Sequence, residues 1–262
     1  MESERGHEFS ENIEEGIETK HDFYHTEISE LQEPLESIVE QLQESIEHGD
    51  YSTIIGDDAS GRIPTLILER IISGIYSDRG LPRTKTLFLT GSGSGGYELT
   101  HDEKFRKGSQ IYRLLYKSQK SAMPHQGGRA LIVTESIRSG RSLAPLTDEL
   151  HRLSIDFDIA AVGIDPFFSP ENPQVEKKIL EERLGTRLFF GMRRTPSIYG
   201  RYNIAGVQKN ASQLHSEVYI KNNSWPGDKE AKREQQLEIN EARADVAAVA
   251  DTILAHFRSR HP

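Results

Sequence analysis

The residues best suited to chemistry lie where short apolar runs meet small polar residues. The clearest case opens with Ala130, Leu131, Ile132 and Val133 and continues Thr134, Glu135, Ser136, Ile137, Arg138, Ser139, Gly140, Arg141, Ser142. An apolar strand ends beside an acid, a hydroxyl-rich loop with one glycine follows, and a helical pattern begins at Leu143. Backbone N–H groups at a helix start converge on one point and can hold an anion, and serine hydroxyls add donors. Arg138 and Arg141 add positive charge, and Glu135 can accept hydrogen bonds from sugar hydroxyls. The same residues serve equally well as an ordinary strand–turn–helix connection whose serines cap the helix.

A second segment has the same build. Thr53, Ile54, Ile55 and Gly56 lead through Asp57 into Asp58, Ala59, Ser60, Gly61 and Arg62, then Ile63 and Pro64. Residues 59–62 can offer backbone N–H groups and Arg62 a charge; a β–α turn capped by aspartates accounts for them as well. A third segment, Thr86 to Thr90 followed by Gly91-Ser92-Gly93-Ser94-Gly95-Gly96, fits Gly-x-Gly-x-x-Gly after a strand. That pattern suits a dinucleotide or S-adenosylmethionine. Such a unit needs a helix at the glycines and a strand ending in an acid about 20 residues on. Here polar residues 97–108 follow, and no apolar run returns until Ala130. After Ile164 come Asp165, Phe167 and Phe168, which could hydrogen-bond and stack on a nucleobase; core packing explains the two phenylalanines more simply. Arg193, Arg194, Tyr199, Arg201 and Tyr202 interleave base and ring, a mixture that suits nucleic acid. A solvated loop accounts for them too, so a small molecule is the expected partner.

The elements that must position these residues follow from periodicity. Apolar runs at 53–56, 86–90, 130–134, 159–164 and 187–191 read as strands. Patterns at 64–76, 102–117, 143–153 and 174–184 read as helices. Strand–helix alternation predicts an α/β fold with a doubly wound, mainly parallel five-stranded sheet. Residues 217–220 suit a short strand, and 228–258 a long helix. Upstream, Ile28, Leu31, Leu35, Ile38, Val39, Leu42 and Ile46 form one apolar stripe. It must bury itself on the core, on the C-terminal helix or on a second copy of the chain, so a homodimer is among the expected arrangements.

The segment from Ala130 to Ser142 resembles the signature of the type I phosphoribosyltransferases: four apolar residues, two acids, a short variable stretch, then Thr-Gly-any-Thr and a helix. Ala130 to Val133 fall on the apolar run, Thr134 and Glu135 on the acid pair, and Ser139-Gly140-Arg141-Ser142 on Thr-Gly-any-Thr. The first acid is replaced by Thr134. The segment from Thr53 to Arg62 resembles the family's first loop. The resemblance implies that Glu135 and Thr134 meet the ribose of phosphoribosyl pyrophosphate (PRPP). It implies that Ser136, Ile137, Arg138, Ser139, Gly140, Arg141 and Ser142 surround the 5′-phosphate. Asp58, Ala59, Ser60, Gly61 and Arg62 would meet pyrophosphate, and Asp165, Phe167 and Phe168 the base. It also implies Mg²⁺ held without direct protein ligands, and transfer of phosphoribosyl to or from a nitrogenous base, with Glu135 as the catalytic carboxylate. A PRPP- or nucleotide-sensing protein without turnover is the alternative that Thr134 invites. An S-adenosylmethionine- or dinucleotide-dependent enzyme using residues 91–96 is the second. On the family reading that glycine segment is a lid over the reaction centre.

Composition narrows the classes. The chain has 262 residues and no cysteine, which excludes disulfides and thiolate chemistry. No apolar stretch is long enough to span a membrane, and the acidic start lacks a signal-peptide pattern, so a soluble cytoplasmic protein is expected. The net charge of −9 is uneven. Residues 1–50 hold 16 acids and 2 basic residues; the remainder hold 25 and 30. The expected organisation is an acidic arm at 1–26, an α/β domain at 27–220 with its N-terminal helix, and a helical extension at 221–262.

Overall fold

Unbroken apolar runs become strands here because both faces of the sheet are covered. The computed structural model describes residues 21–89, 100–121, 128–165, 167–169, 171–194, 204, 206–208, 215, 217–218 and 229–262. Three N-terminal helices, α1 (Thr26–Ser29), α2 (Gln32–Gln41) and α3 (Gln43–Glu47), precede β1 (Tyr51–Asp57) and α4 (Asp58–Asp78). Then come β2 (Lys85–Leu89), α5 (His101–Ser121), β3 (Arg129–Ile137), α6 (Ala144–Arg152), β4 (Phe157–Ile164), α7 (Pro173–Leu184) and β5 (Arg187–Arg193). Two short strands, β6 (Val207–Gln208) and β7 (Glu217–Val218), pair antiparallel, and α8 (Lys229–Arg260) follows. The five strands lie in the order β2-β1-β3-β4-β5, all parallel.

Side-chain alternation divides the apolar residues between two cores. Ile54, Leu131, Val133, Ala160 and Val162 face α1 to α4 and α8. Ile55, Ala130, Ile132, Ile159 and Ala161 face α5, α6 and α7. The stripe from Ile28 to Ile46 is wholly inside the first core, so its burial needs no second copy. Each such aliphatic side chain contributes roughly 1.5–3 kcal/mol on burial. Along α8, Ala242, Val246, Val249, Ala250, Ile253, Leu254 and Phe257 complete that core. Asp245, on the same helix and fully buried, accepts from His21 Nε2 at 2.8 Å and from the His25 N–H at 2.8 Å. The chain at 21–25 is thereby anchored to α8.

The sheet's N-terminal edge is tied by one carboxylate. Asp158 is 0% exposed and accepts from Tyr51 Oη at 2.8 Å and from both arms of the Arg187 fork at 2.9 and 2.7 Å. Arg129 approaches it to 3.2 Å. Since these residues start β1, β5 and β3, and Asp158 lies in β4, four strands share one buried charge. Tyr76 Oη accepts the Tyr51 N–H, which links α4 to the cluster.

The apolar stripe from Ile28 to Ile46 is carried by three helices, α1, α2 and α3, and Pro34 stands in the first turn of α2, where a helix tolerates proline. Two sequence expectations are corrected here. The helix expected at 64–76 begins six residues earlier, at Asp58, so Pro64 lies inside it. Turn-forming residue types at 58–61 masked this start; Gly61 is there because α4 touches β3, where a Cβ would collide with the Val133 carbonyl oxygen. The third strand continues past residue 134 to Ile137. Thr90, the glycine segment 91–96, and Tyr199, Arg201 and Tyr202 lie outside the described residues.

Asp158→Ala leaves three partners without their acceptor, and the expected loss is about 3–5 kcal/mol in urea unfolding. The phenols give a pH signature. Burial, then Asp158, holds Tyr51 well above the ordinary tyrosine value, and burial pushes Tyr76 up to about 12. A pKa raised on folding contributes stability that is complete below the unfolded value of about 10 and lost as pH rises through the folded one. Unfolding free energy is therefore expected to fall above about pH 10. Tyr51→Phe should flatten that fall.

Candidate functional site

The strand order reverses direction between β1 and β3, and ligands of open α/β sheets bind in the crevice outside the strand C-termini at such a point. Both segments singled out for anion binding fall there: 58–62 follows β1, and 134–142 spans the end of β3. The β1 side is built by close approach. At Gly56 a Cβ would lie 2.7 Å from Thr65 Oγ1 and 2.8 Å from the Phe88 ring. With Gly61 this lets the start of α4 lie against the tips of β1 and β3. The backbone N–H groups of residues 58–60 have no acceptor within their helix. Arg62, one residue on, stacks its guanidinium over Phe88 at 4.3 Å.

Asp57 ends β1 and is 2% exposed. It stands at the N-cap of α4 but makes no side-chain capping bond. Its carboxylate instead accepts from Ser60 Oγ at 3.3 Å and from Thr134 Oγ1 at 3.5 Å. Thr134 and Glu135 are strand residues, 1% and 5% exposed. Two buried carboxylates, Asp57 and Glu135, thus stand on adjacent strand tips.

The β3–α6 connection runs through Arg138, Ser139, Gly140, Arg141 and Ser142. Gly140 has φ +72°, a left-handed conformation for which glycine is suited, and its carbonyl accepts the Leu143 N–H at 3.1 Å. The N-cap of α6 is Leu143, without a side-chain bond. Ser139 and Ser142 therefore do not cap that helix. Arg138 and Arg141 are exposed at the rim.

The β4 side is tied to the β3 side. Ser136 Oγ donates to Asp165 Oδ2 at 2.9 Å, and the Asp165 N–H donates to the Ile137 carbonyl at 2.9 Å. Phe167 and Phe168 stay 49% and 38% exposed, edge to face at 4.8 Å. The Arg138 guanidinium lies 5.2 Å from the Phe167 ring, and Arg183 lies 5.9 Å from Phe168. The two rings pack on each other in the loop and lie outside both cores. Glu176 keeps them in place: 1% exposed, its carboxylate accepts the N–H groups of Phe167, Phe168 and Ser169 at 3.2, 2.8 and 2.6 Å.

Sequence reasoning did not single out Asp57, Glu176 or Arg183 for the site. A signal existed for Glu176, which shares an apolar helix face with Leu180 and Leu184 at four-residue spacing. Lys107 is 4% exposed on α5, at four-residue spacing from the buried Ile111 and Leu115. Arg193 and Arg194 are exposed at the end of β5. Among the described residues no group of three or more acidic or histidine side chains could hold a metal ion, and no helix is long and apolar enough to cross a membrane. The chain matches no known protein family, no curated protein and no solved structure.

Glu176→Ala should release the aromatic loop. The expected readouts are faster hydrogen exchange at the amides of residues 167–169 and a stability loss of about 2–3 kcal/mol, typical of bonds to a buried charged acceptor.

Proposed function

We propose that this chain binds a phosphoribosyl ligand, PRPP or a nucleotide, across the C-terminal ends of β1, β3 and β4, and transfers the phosphoribosyl group to or from a nitrogenous base. One observation carries the proposal. Two segments separated by about 75 residues, each chosen for anion-binding chemistry, stand on the two strands that flank the switch point of a parallel sheet. The type I phosphoribosyltransferase fold belongs to this proposal. The glycine segment 91–96, by contrast, follows β2, an edge strand one position away from the switch point. That position disfavours a dinucleotide or S-adenosylmethionine enzyme.

In this assignment Arg138, Ser139, Gly140, Arg141 and Ser142 hold the 5′-phosphate. The N–H groups at the start of α4 meet pyrophosphate, and Glu135 orients the ribose. Phe167 and Phe168 offer exposed ring faces to a base, and Asp165 an acceptor. Transfer breaks the bond from ribose C1 to pyrophosphate and forms one to the base nitrogen, so positioning and charge stabilisation are the protein's main contributions. Mg²⁺, which keeps several of its waters and binds largely through ligand phosphates, would be held by the pyrophosphate without a direct protein ligand and would neutralise charge as that group leaves.

A second reading, a sensor that binds the ligand without turnover, is favoured by Thr134 in place of the first acid. A thermal-shift screen with PRPP and Mg²⁺, nucleoside monophosphates, S-adenosylmethionine and NAD tests the site. PRPP or a nucleotide should stabilise the protein. Glu135→Ala and Arg138→Ala should each weaken binding by about tenfold or more, the cost of one charged contact. No shift, or a shift that both variants retain, would remove the assignment. Pyrophosphate release with a panel of bases then separates transferase from sensor.

A further inference from the structure

Asp57 determines what the floor between β1 and β3 can recognise. Ser60 Oγ lies 3.3 Å from the Asp57 carbonyl oxygen and 3.3 Å from Asp57 Oδ2. Thr134 Oγ1 lies 3.5 Å from Asp57 Oδ2 and 3.4 Å from the Ser136 carbonyl oxygen. The three partner atoms, the Asp57 carbonyl oxygen, Asp57 Oδ2 and the Ser136 carbonyl oxygen, are all acceptors. A hydroxyl has one proton and two lone pairs, so each hydroxyl gives its proton to this acceptor set and keeps its lone pairs. The floor is therefore acceptor-rich and carries a carboxylate, which suits a ligand that donates hydrogen bonds. A phosphate oxygen, itself an acceptor and anionic, is disfavoured there. Donors to phosphate are the backbone N–H groups of the first turn of α4 and the loop of Arg138 and Arg141.

The same geometry explains Thr134. Gly56 pairs with Val133, so Asp57 and residue 134 are the next neighbours along two parallel strands. An acid at 134 would bring a second carboxylate close to Asp57 in a buried place, and two like charges so close cannot both ionise cheaply. With Asp57 on β1, a neutral hydroxyl at 134 is the compatible partner.

We infer that Asp57 takes the part of the acid missing at position 134, and that the floor of Asp57, Ser60 and Thr134 accepts hydrogen bonds from the cis-diol of a ribose 5-phosphate group. The inference rests on the phosphoribosyl reading of the site and assigns Ser60 to the sugar rather than to pyrophosphate through its side chain.

Calorimetric titration with ribose 5-phosphate and 2-deoxyribose 5-phosphate tests it without any substitution. The wild-type protein should bind the ribose form about tenfold or more tightly, the penalty for leaving a buried polar group unpaired. Asp57→Asn should narrow the preference to about threefold or less while circular dichroism stays unchanged. Thr134→Asp alone should lower the melting temperature, and Asp57→Thr combined with Thr134→Asp should restore both stability and the preference for ribose. Equal binding of the two sugars by the wild type, or a preference that Asp57→Asn retains, would overturn the inference while the phosphoribosyl site stands. Failure of the wild type to bind PRPP, nucleotide or either sugar phosphate would remove the site and the inference together.

Discussion

Register is the constraint on which this sheet depends, and Asp158 holds it. A parallel strand that slips by one residue exchanges the side chains of its two faces. Here that would move Ile54, Leu131 and Ala160 from one core to the other. A buried carboxylate shared by Tyr51, Arg129 and Arg187 is satisfied in one register alone. Replacing such a cluster with apolar residues can be neutral for stability, whereas breaking it leaves buried charge uncompensated. Its contribution is best understood as selecting one arrangement of four strands.

The opposite edge is built on other terms. There the backbone approaches closely at Gly56 and Gly61, hydroxyls are pulled toward Asp57, and a buried Glu176 holds two phenylalanines in contact with water. None of this is what burial alone would favour. Polar groups at the C-terminal edge are held by other polar groups, and apolar rings are kept out. The N-terminal edge fixes the strands, so the C-terminal edge can carry an arrangement with little intrinsic stability.

Much of this was legible in the sequence, for definable reasons. Strands covered on both faces leave apolar runs, so all five were visible, although the third continues beyond its apolar part because Thr134, Ser136 and Ile137 pair with β4. The segments proposed to hold anions, 58–62 and 134–142, were visible as small polar residues after such runs. Tertiary contacts were not. Asp57 looked like a helix cap, and only the register of β1 on β3 shows that it faces Thr134 instead. The buried start of α4 looked like a turn, because Gly61 answers a neighbouring strand and not its own helix. Glu176 was hidden in a helix of ordinary charge, although its place on an apolar face was readable.

The position of α8 in the chain has a consequence for how the protein is made. The side chains that cover one face of the sheet, from Ile55 to Leu188, are all present once β5 has been synthesised. The other face keeps its outer side open until Ala242 to Phe257 have left the ribosome. Ile67, Ile71 and Ile75 on α4 belong to that second-closing face, and so does the N-terminal stripe. Nascent chains therefore carry a large apolar surface through the last part of translation, the interval in which a chaperone that binds apolar segments has most to shield.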